Sequence, residues 1–191
     1  MSEYEPAFKV SMSYKTPEEE NLQLENILWT VRLGGADFGT IEMTDLNGQG
    51  PFVYKVNHLH MHGPSEHRID DRQYDLEIHI VHELVGGPEG WEDYYDKLAV
   101  TAIFFEVAPK SHPFIEKLRP EDFGEIGKIS FAELFQDGDQ SGGQEKKFYH
   151  YKGSLTNPPY SDVNNWLIYK EVLPISQEHL DSFLGSWYPI L

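Results

Sequence analysis

Short runs in which apolar and polar residues alternate recur along the chain, and Gly, Asn and Pro clusters separate them. Alternation with a period of two is typical of β-strands that are buried on one face. We expect a mainly β fold (α+β by element count), built on one central, mostly antiparallel, twisted sheet. The predicted strands lie at residues 27–33, 53–62, 76–83, 98–107, 148–155 and 166–169.

Helical signals are few, and we expect short helices at the periphery of the sheet. Residues 112–118 follow a proline, and residues 130–135 begin with a serine that can cap a helix. Ser176 is a candidate N-cap for a helix over residues 176–183, with His179 at the third helical position. The acidic stretch at residues 137–144 is expected to be a solvated loop. A length of 191 residues favours a single domain over residues 1–191.

The composition restricts the chemistry that is open to the chain. It has no Cys, which excludes disulfides, Fe–S clusters and cysteine ligands or nucleophiles, so a metal would need His, Asp or Glu. The 15 Lys+Arg against 32 Asp+Glu give a net charge of -17, which disfavours nucleic acids and anionic membrane surfaces. No run reaches the ~18 apolar residues of a membrane span, and no signal peptide is visible. We expect a soluble, intracellular protein, cytoplasmic or organellar.

Histidines are concentrated in one part of the sequence, with six of the nine between residues 58 and 82. Side chains two apart on a strand share a face, so His58, His60 and His62 are predicted to point the same way. His79 lies on the next predicted strand. If residues 63–75 return the chain antiparallel, His60, His62 and His79 come within a few ångströms of one another.

Three converging neutral imidazoles describe a catalytic zinc site, because zinc is tetrahedral and three protein ligands leave one position open for water. Glu77 precedes His79 by two residues and shares its face, so it is a candidate to orient that ring. For any single histidine, a solvated strand face or a core hydrogen bond is the simpler explanation. An H-x-H strand followed by an E-x-H strand favours the metal. His82 falls on the opposite face and is expected to be structural.

Two separated stretches carry longer motifs. The first reads His60-Met-His-Gly-Pro-Ser-Glu-His67 and continues as Leu76-Glu-Ile-His-Ile-Val-His82, and the second reads Tyr151-Lys-Gly-Ser-Leu-Thr-Asn-Pro-Pro159. Both resemble signatures of the α-class carbonic anhydrases, and the resemblance covers most of the chain, most strongly residues 22–183. It implies that family's fold and the reversible hydration of CO2 to bicarbonate and a proton, with zinc hydroxide as nucleophile.

The resemblance also implies roles for individual residues. His60, His62 and His79 correspond to the zinc ligands. Thr156 would hydrogen-bond the reactive hydroxide, and Glu66 would accept the threonine proton, an arrangement that aims the nucleophile. The substrate pocket would be lined by Val81, Val100, Leu155, Asn157 and Trp166.

The chain also departs from the family pattern. Ile27 or Leu28 stands where fast members carry a proton-shuttle histidine, so we expect slower, buffer-dependent turnover. His58 stands where the family commonly has Gln, and it is expected to hydrogen-bond a ligand histidine or to replace the shuttle in part. Segments of the family pattern are missing at both termini. Their absence predicts exposed sheet edges and a protein partner that covers them.

Two other functions stay open at this point. A structural or interaction subunit with the carbonic anhydrase fold, retaining zinc but little or no activity, fits the terminal departures and the missing shuttle. A zinc hydrolase that acts on small esters would use the same histidines.

Overall fold

The fold is taken from a computed structural model of residues 1–191. It describes residues 8–18, 22, 24–27, 30–45, 48–93, 96–118, 126–135, 147–158, 160–162 and 164–187. Strands dominate, and in chain order they are β1 (Phe8–Tyr14), β2 (Leu24–Ile27), β3 (Thr30–Gly34), β4 (Gly39–Asp45), β5 (Phe52–His62), β6 (Arg68–Ile69), β7 (Arg72–Gln73), β8 (Leu76–Gly86), β9 (Leu98–Val107), β10 (Phe148–Gly153), β11 (Asn164–Tyr169) and β12 (Leu173–Ile175). The helices are α1 (Pro113–Glu116) and α2 (Gln177–Trp187), with 3₁₀ turns at Trp91–Asp93 and Phe131–Leu134.

One ten-stranded sheet contains all the strands except β6 and β7, which pair with each other between β5 and β8. Its main path runs β1-β4-β5-β8-β9-β11-β10, while β3 pairs with β2 and β5, and β12 pairs with β9. Pairing among the described strands is antiparallel except that β9 runs parallel to β11 and β12. The predicted mainly β fold with a mostly antiparallel sheet and short peripheral helices is confirmed.

A one-residue irregularity in β5 decides which of its side chains face the core. Val56 pairs with His82 of β8, but His58 pairs with Val81, so Asn57 has no partner in β8 and forms a β-bulge. Before the bulge the even-numbered residues of β5 are buried, whereas after it Leu59 and Met61 are buried. The bulge therefore turns the three histidines of β5 away from the main core.

The two faces of the sheet bury different apolar clusters. The larger one packs the sheet against α1, α2 and the second 3₁₀ turn, with Leu59, Ile80, Phe114 and Phe183 all fully buried. The smaller one lies on the face that carries the histidines, and it consists of Tyr74, Val100, Ala102, Phe104, Trp166 and Ile168. Among the described residues, no helix has the length and apolar character needed to cross a membrane.

The main error of the sequence prediction concerns residues 27–33, which were expected to form one strand. The structure ends β2 at Ile27 and begins the antiparallel strand β3 at Thr30. Neither residue between them is Gly, Asn or Pro, so nothing in the sequence marked a turn. Five further strands, β1, β4, β6, β7 and β12, were not predicted.

The predicted helix starts are found. His112 caps α1 by accepting from the Phe114 N–H at 3.3 Å. Ser130 forms a reciprocal capping box with Glu133 before the second 3₁₀ turn. Ser176 accepts from the His179 N–H at 3.2 Å at the start of α2, which extends beyond the predicted end to Trp187. The predicted loop at residues 137–144 lies outside the described residues.

His82 has the structural role expected for it, on the core face of β8. Its fully buried ring donates from Nδ1 to the Ala99 carbonyl at 2.9 Å, so Nε2 accepts from the Tyr14 hydroxyl at 3.0 Å. Burial lowers the pKa of this imidazole from 6.5 to about 4. The folded chain therefore keeps His82 neutral at pH values where the unfolded chain protonates it.

This difference predicts a loss of stability in mild acid. Between about pH 6.5 and 4 only the unfolded state gains the His82 proton, so the free energy of unfolding falls with falling pH, by about 2 kcal/mol between pH 7 and 4.5. Urea unfolding of His82→Phe at both pH values should show a correspondingly smaller loss than wild type. The lowered pKa values of His58 and His62 act in both proteins and cancel in the comparison. An equal pH dependence in wild type and variant would contradict the assignment.

Candidate metal centre

The three predicted metal ligands converge where β5 and β8 lie side by side. His60 pairs directly with His79 across the two strands, and His62 follows two residues later on the same face of β5. One ring nitrogen from each of His60, His62 and His79 can be chosen so that all three lie within 4.8 Å of one another. This spacing suits a single ion held by three imidazoles.

Unused buried nitrogens indicate that these rings fit a metal. His60 Nδ1 and His62 Nε2 are buried without a hydrogen-bond partner, an arrangement that costs free energy unless something else binds there. Burial, reinforced by the neighbouring histidines, lowers the pKa of His62 to about 3 and holds that of His60 well below its usual range. Both rings are therefore neutral near pH 7, as metal ligation requires.

Glu77 organises the base of the cluster. Its fully buried carboxylate accepts four hydrogen bonds, from the backbone N–H groups of Glu66 (2.7 Å) and His67 (2.9 Å), from His67 Nδ1 (2.5 Å) and from His79 Nε2 (2.8 Å). Burial alone would raise the pKa of Glu77, but the bonds from His67 and His79 hold it below its ordinary value. Because a carboxylate only accepts, His79 must carry its proton on Nε2, which leaves Nδ1 free as a ligand.

Tyr151 extends this arrangement by one residue. Since His67 donates from Nδ1 to Glu77, its Nε2 accepts from the Tyr151 hydroxyl at 2.6 Å. Burial, followed by the charges of Glu77 and Glu66, raises the pKa of Tyr151 to about 12, so the hydroxyl stays a donor. Tyr151 is the first residue of the second sequence motif, and no role was predicted for it.

The side chain of His58 contacts the bulge residue and the ring of His60. Its Nδ1 lies 2.6 Å from Asn57 Oδ1, and its ring stacks beside that of His60 with centroids 5.0 Å apart. The expected hydrogen bond to a ligand histidine is therefore replaced by a bond to the bulge residue. Burial, with the charge of Arg32, lowers the pKa of His58 to about 4. Of the predicted shuttle position, Leu28 and the side chain of Ile27 lie outside the described residues.

A small cavity of about 40 Å³ opens beside the histidines. It brings together all five residues that were predicted to form the pocket, together with Thr156 and two of the predicted ligands. The lining consists of His60, His79, Val81, Val100, Leu155, Thr156, Asn157 and Trp166. The Trp166 ring lies 4.9 Å from that of His79 and donates from Nε1 to the Ser154 carbonyl at 3.1 Å, which ties the loop before Thr156 to the sheet.

Thr156 and Glu66 lie at the site but are not joined as expected. Both residues are exposed, and within the part of the chain that the structure describes no hydrogen bond connects them. The Glu66 carboxylate instead lies 3.5 Å from His62 Nε2. The catalytic roles of Thr156 and Glu66 stay predictions.

Comparisons with known proteins agree with this geometry. The model of the eukaryotic-type carbonic anhydrase family matches residues 2–188. Alpha carbonic anhydrase 3 of Arabidopsis thaliana is 31% identical over 148 residues, which is 76% of this chain and 47% of that protein. The chain spans about half the length of the curated relatives it matches.

Solved structures share the fold. The α-carbonic anhydrase of Photobacterium profundum superposes with a TM-score of 0.68 at 23% identity, covering 93% of this chain and 74% of that one. A structure of dioscorin complexed with ascorbate gives a TM-score of 0.69 at 22% identity, covering 94% of this chain and 68% of that one. The fold is thus shared by differently named proteins, a carbonic anhydrase and dioscorin. The family model matches nearly all of this sequence. The chain therefore belongs to the eukaryotic-type carbonic anhydrase family.

Proposed function

We propose that the chain is a zinc-dependent carbonic anhydrase that hydrates CO2 reversibly to bicarbonate and a proton. The observation that carries the proposal is the meeting of His60, His62 and His79 at the edge of a small, largely apolar cavity. Family membership supports the same reaction. We also propose that residues 1–191 form one domain of this fold.

Zinc held by the three imidazoles would supply Lewis-acid activation of a water molecule at neutral pH. The chain's own residues prepare the ligands for that ion. Burial keeps His60 and His62 neutral, so no proton competes with the metal near pH 7. Glu77 holds the proton of His79 on Nε2 and fixes the orientation of the ring.

The cavity suits a substrate of very few atoms. About 10–15 Å³ of this kind of volume holds one water molecule, so the observed 40 Å³ or so admits about three heavy atoms. The walls offered by Val81, Val100, Leu155 and Trp166 are apolar and would favour an uncharged molecule such as CO2 over water. Thr156 and Asn157 supply the polar groups that would orient the reacting oxygen and the product.

Proton release is proposed to limit turnover. The pKa of His58 is lowered to about 4, so this ring is a poor proton acceptor near pH 7 in the structure as it stands. We propose slower turnover than in fast relatives because the pKa of His58 is low and because Ile27 or Leu28 stands at the shuttle position. Hydration is then expected to speed up as buffer concentration rises.

Metal removal tests the proposal. The purified chain should bind one equivalent of zinc and hydrate CO2 above the uncatalysed rate, and it should fall to background when a chelator removes the zinc. Restoring zinc should restore hydration. Stopped-flow measurement at low and high buffer concentration gives the rate and its buffer dependence together. The absence of stoichiometric zinc would contradict the metal assignment itself.

A second candidate is a structural or interaction subunit that keeps zinc with little activity. The exposure of Thr156 and its missing bond to Glu66 favour this candidate, since a partner that covered the rim of the site could order both side chains. One equivalent of zinc with hydration at background would support it and contradict the enzyme. Hydrolysis of a small ester, assayed beside CO2 hydration, separates the third alternative from both.

A further inference from the structure

An arginine lies beside the histidine cluster and has no role in the reaction described above. Arg32 of β3 pairs directly with His60 of β5, so the two side chains project from the same face of the sheet. Its neighbours Val31 and Leu33 are fully buried on the opposite face. Gly34, two residues on, pairs with His58, and a Cβ there would come within 3.1 Å of the His58 Cβ. The strand thus leaves room for His58 and places one cation next to His60.

The guanidinium group of Arg32 is mostly unused. Its terminal Nη2 donates to Asn57 Oδ1 at 3.3 Å, while its Nε is buried without a hydrogen-bond partner. Arg32 takes part in none of the ion pairs formed by the described residues. A guanidinium has five N–H donors, and leaving a buried one unpaired is costly. An acceptor that came to this group would relieve that cost.

Two carboxylates near Arg32 do not neutralise it directly. Glu83 accepts from Asn57 Nδ2 at 2.7 Å, so the Asn57 amide stands between this carboxylate and Arg32. Glu25 faces Arg32 in the register of β2 and β3, but it is exposed and forms no ion pair with it. Both lower the local positive potential without occupying the fork of N–H groups.

We propose that Arg32 binds the anionic form of the site's small ligand, a carboxylate-type oxyanion such as bicarbonate. The identity of bicarbonate rests on the proposed function, whereas the anion site rests on Arg32 and its surroundings. The planar guanidinium matches the two oxygens of a carboxylate, and a charge-assisted bond is strongest where the donor is already removed from water. Arg32 is then a residue that discriminates the anion from neutral CO2.

Formate serves as the test ligand, because it carries the same carboxylate group without reacting. Formate is titrated into the zinc-loaded full-length chain and its affinity is followed by NMR chemical shifts. Arg32→Gln, which removes the charge, should weaken formate binding by roughly tenfold or more, as expected for a lost charge-assisted bond. Arg32→Lys keeps the charge but lacks the planar array of N–H donors. Its formate affinity should lie between those of wild type and Arg32→Gln. Binding to wild type should weaken with added salt more than binding to Arg32→Gln does.

Arg72→Gln is the matched control, because Arg72 lies on the exposed β6–β7 hairpin, where it pairs with Glu106. Its formate affinity should equal that of wild type. Equal affinities in wild type, Arg32→Gln and Arg32→Lys, or no formate binding to wild type, would overturn the inference. If Arg32→Gln does not fold by circular dichroism, Arg32→Lys decides the question. CO2 hydration of the wild type is measured separately, so failure of the proposed reaction would leave the formate result standing.

Discussion

Replacing His60 by alanine is expected to abolish binding of one equivalent of zinc and to return CO2 hydration to the uncatalysed rate. The three rings form a triangle in which the His60 centroid lies 4.9 Å from that of His62 and 5.1 Å from that of His79. Its loss leaves two imidazoles, which is one fewer than catalytic zinc sites use. At a zinc concentration 100 times the dissociation constant, wild type should gain about 2.7 kcal/mol of stability, and the variant should gain almost none.

Two further variants make this result specific. His150→Ala removes a partly buried histidine of β10 that contacts Asn165 at 3.1 Å, away from the cluster, and should leave zinc binding unchanged. His60→Leu fills the same space with an apolar group and removes a buried nitrogen that has no partner. Without zinc, His60→Leu should therefore unfold at the same or a higher denaturant concentration than wild type. Full zinc binding by His60→Ala would rule out the proposed ligand set.

Replacing Glu77 by glutamine should weaken both the fold and the metal site. The substitution keeps the shape of the side chain but places an NH2 group where two imidazole N–H groups and two backbone N–H groups now find only acceptors. Because the carboxylate is fully buried, we expect a loss of about 3 kcal/mol in the free energy of unfolding. His79 would also lose the bond that fixes its proton on Nε2, and zinc affinity should fall by roughly 10–100-fold.

Glu83→Gln is the matched control for Glu77→Gln. Glu83 lies on the same strand and the same face, but it is exposed and accepts a hydrogen bond from the Asn57 amide at 2.7 Å. Its substitution should change stability by less than about 0.5 kcal/mol and leave zinc affinity as it was. Denaturant unfolding with a zinc competition assay measures both quantities. Similar losses for the two variants would show that charge on this face, rather than the buried hydrogen bonds, explains the effect.

Much of the sheet and of the histidine cluster could be predicted because both depend on a period of two. In β8 (Leu76–Gly86), side chains alternate between the two faces of the sheet without interruption from Leu76 to Leu84. His79 and His82 were therefore assigned correctly to opposite faces. His60 and His79 follow from the same rule once β5 and β8 pair antiparallel. The cavity residues were predicted from the family resemblance, and in the structure they line one cavity.

The remaining features depend on contacts that periodicity does not encode. No Gly, Asn or Pro lies between β2 and β3, so the sequence does not mark where one strand ends and the next begins. Tyr151 reaches His67 across 84 positions of sequence, and Arg32 meets His60 only because β3 lies beside β5. The bond expected between Thr156 and Glu66 requires a side-chain geometry that no spacing rule provides, and the Glu66 carboxylate lies 3.5 Å from His62 Nε2 instead.

Asn57, the residue of β5 without a partner in β8, shifts the alternation of buried and exposed side chains by one position. Apolar residues occupy even positions up to Val56 and odd positions from Leu59, so Asn57 divides one alternating pattern into two that are out of phase. A regular strand that kept Asn57 would exchange inside and outside for everything beyond it, burying imidazoles and exposing Leu59 and Met61. Deleting Asn57 itself would leave Val56 and Leu59 two positions apart, so the two patterns would come into phase and the histidines would keep their face without a bulge.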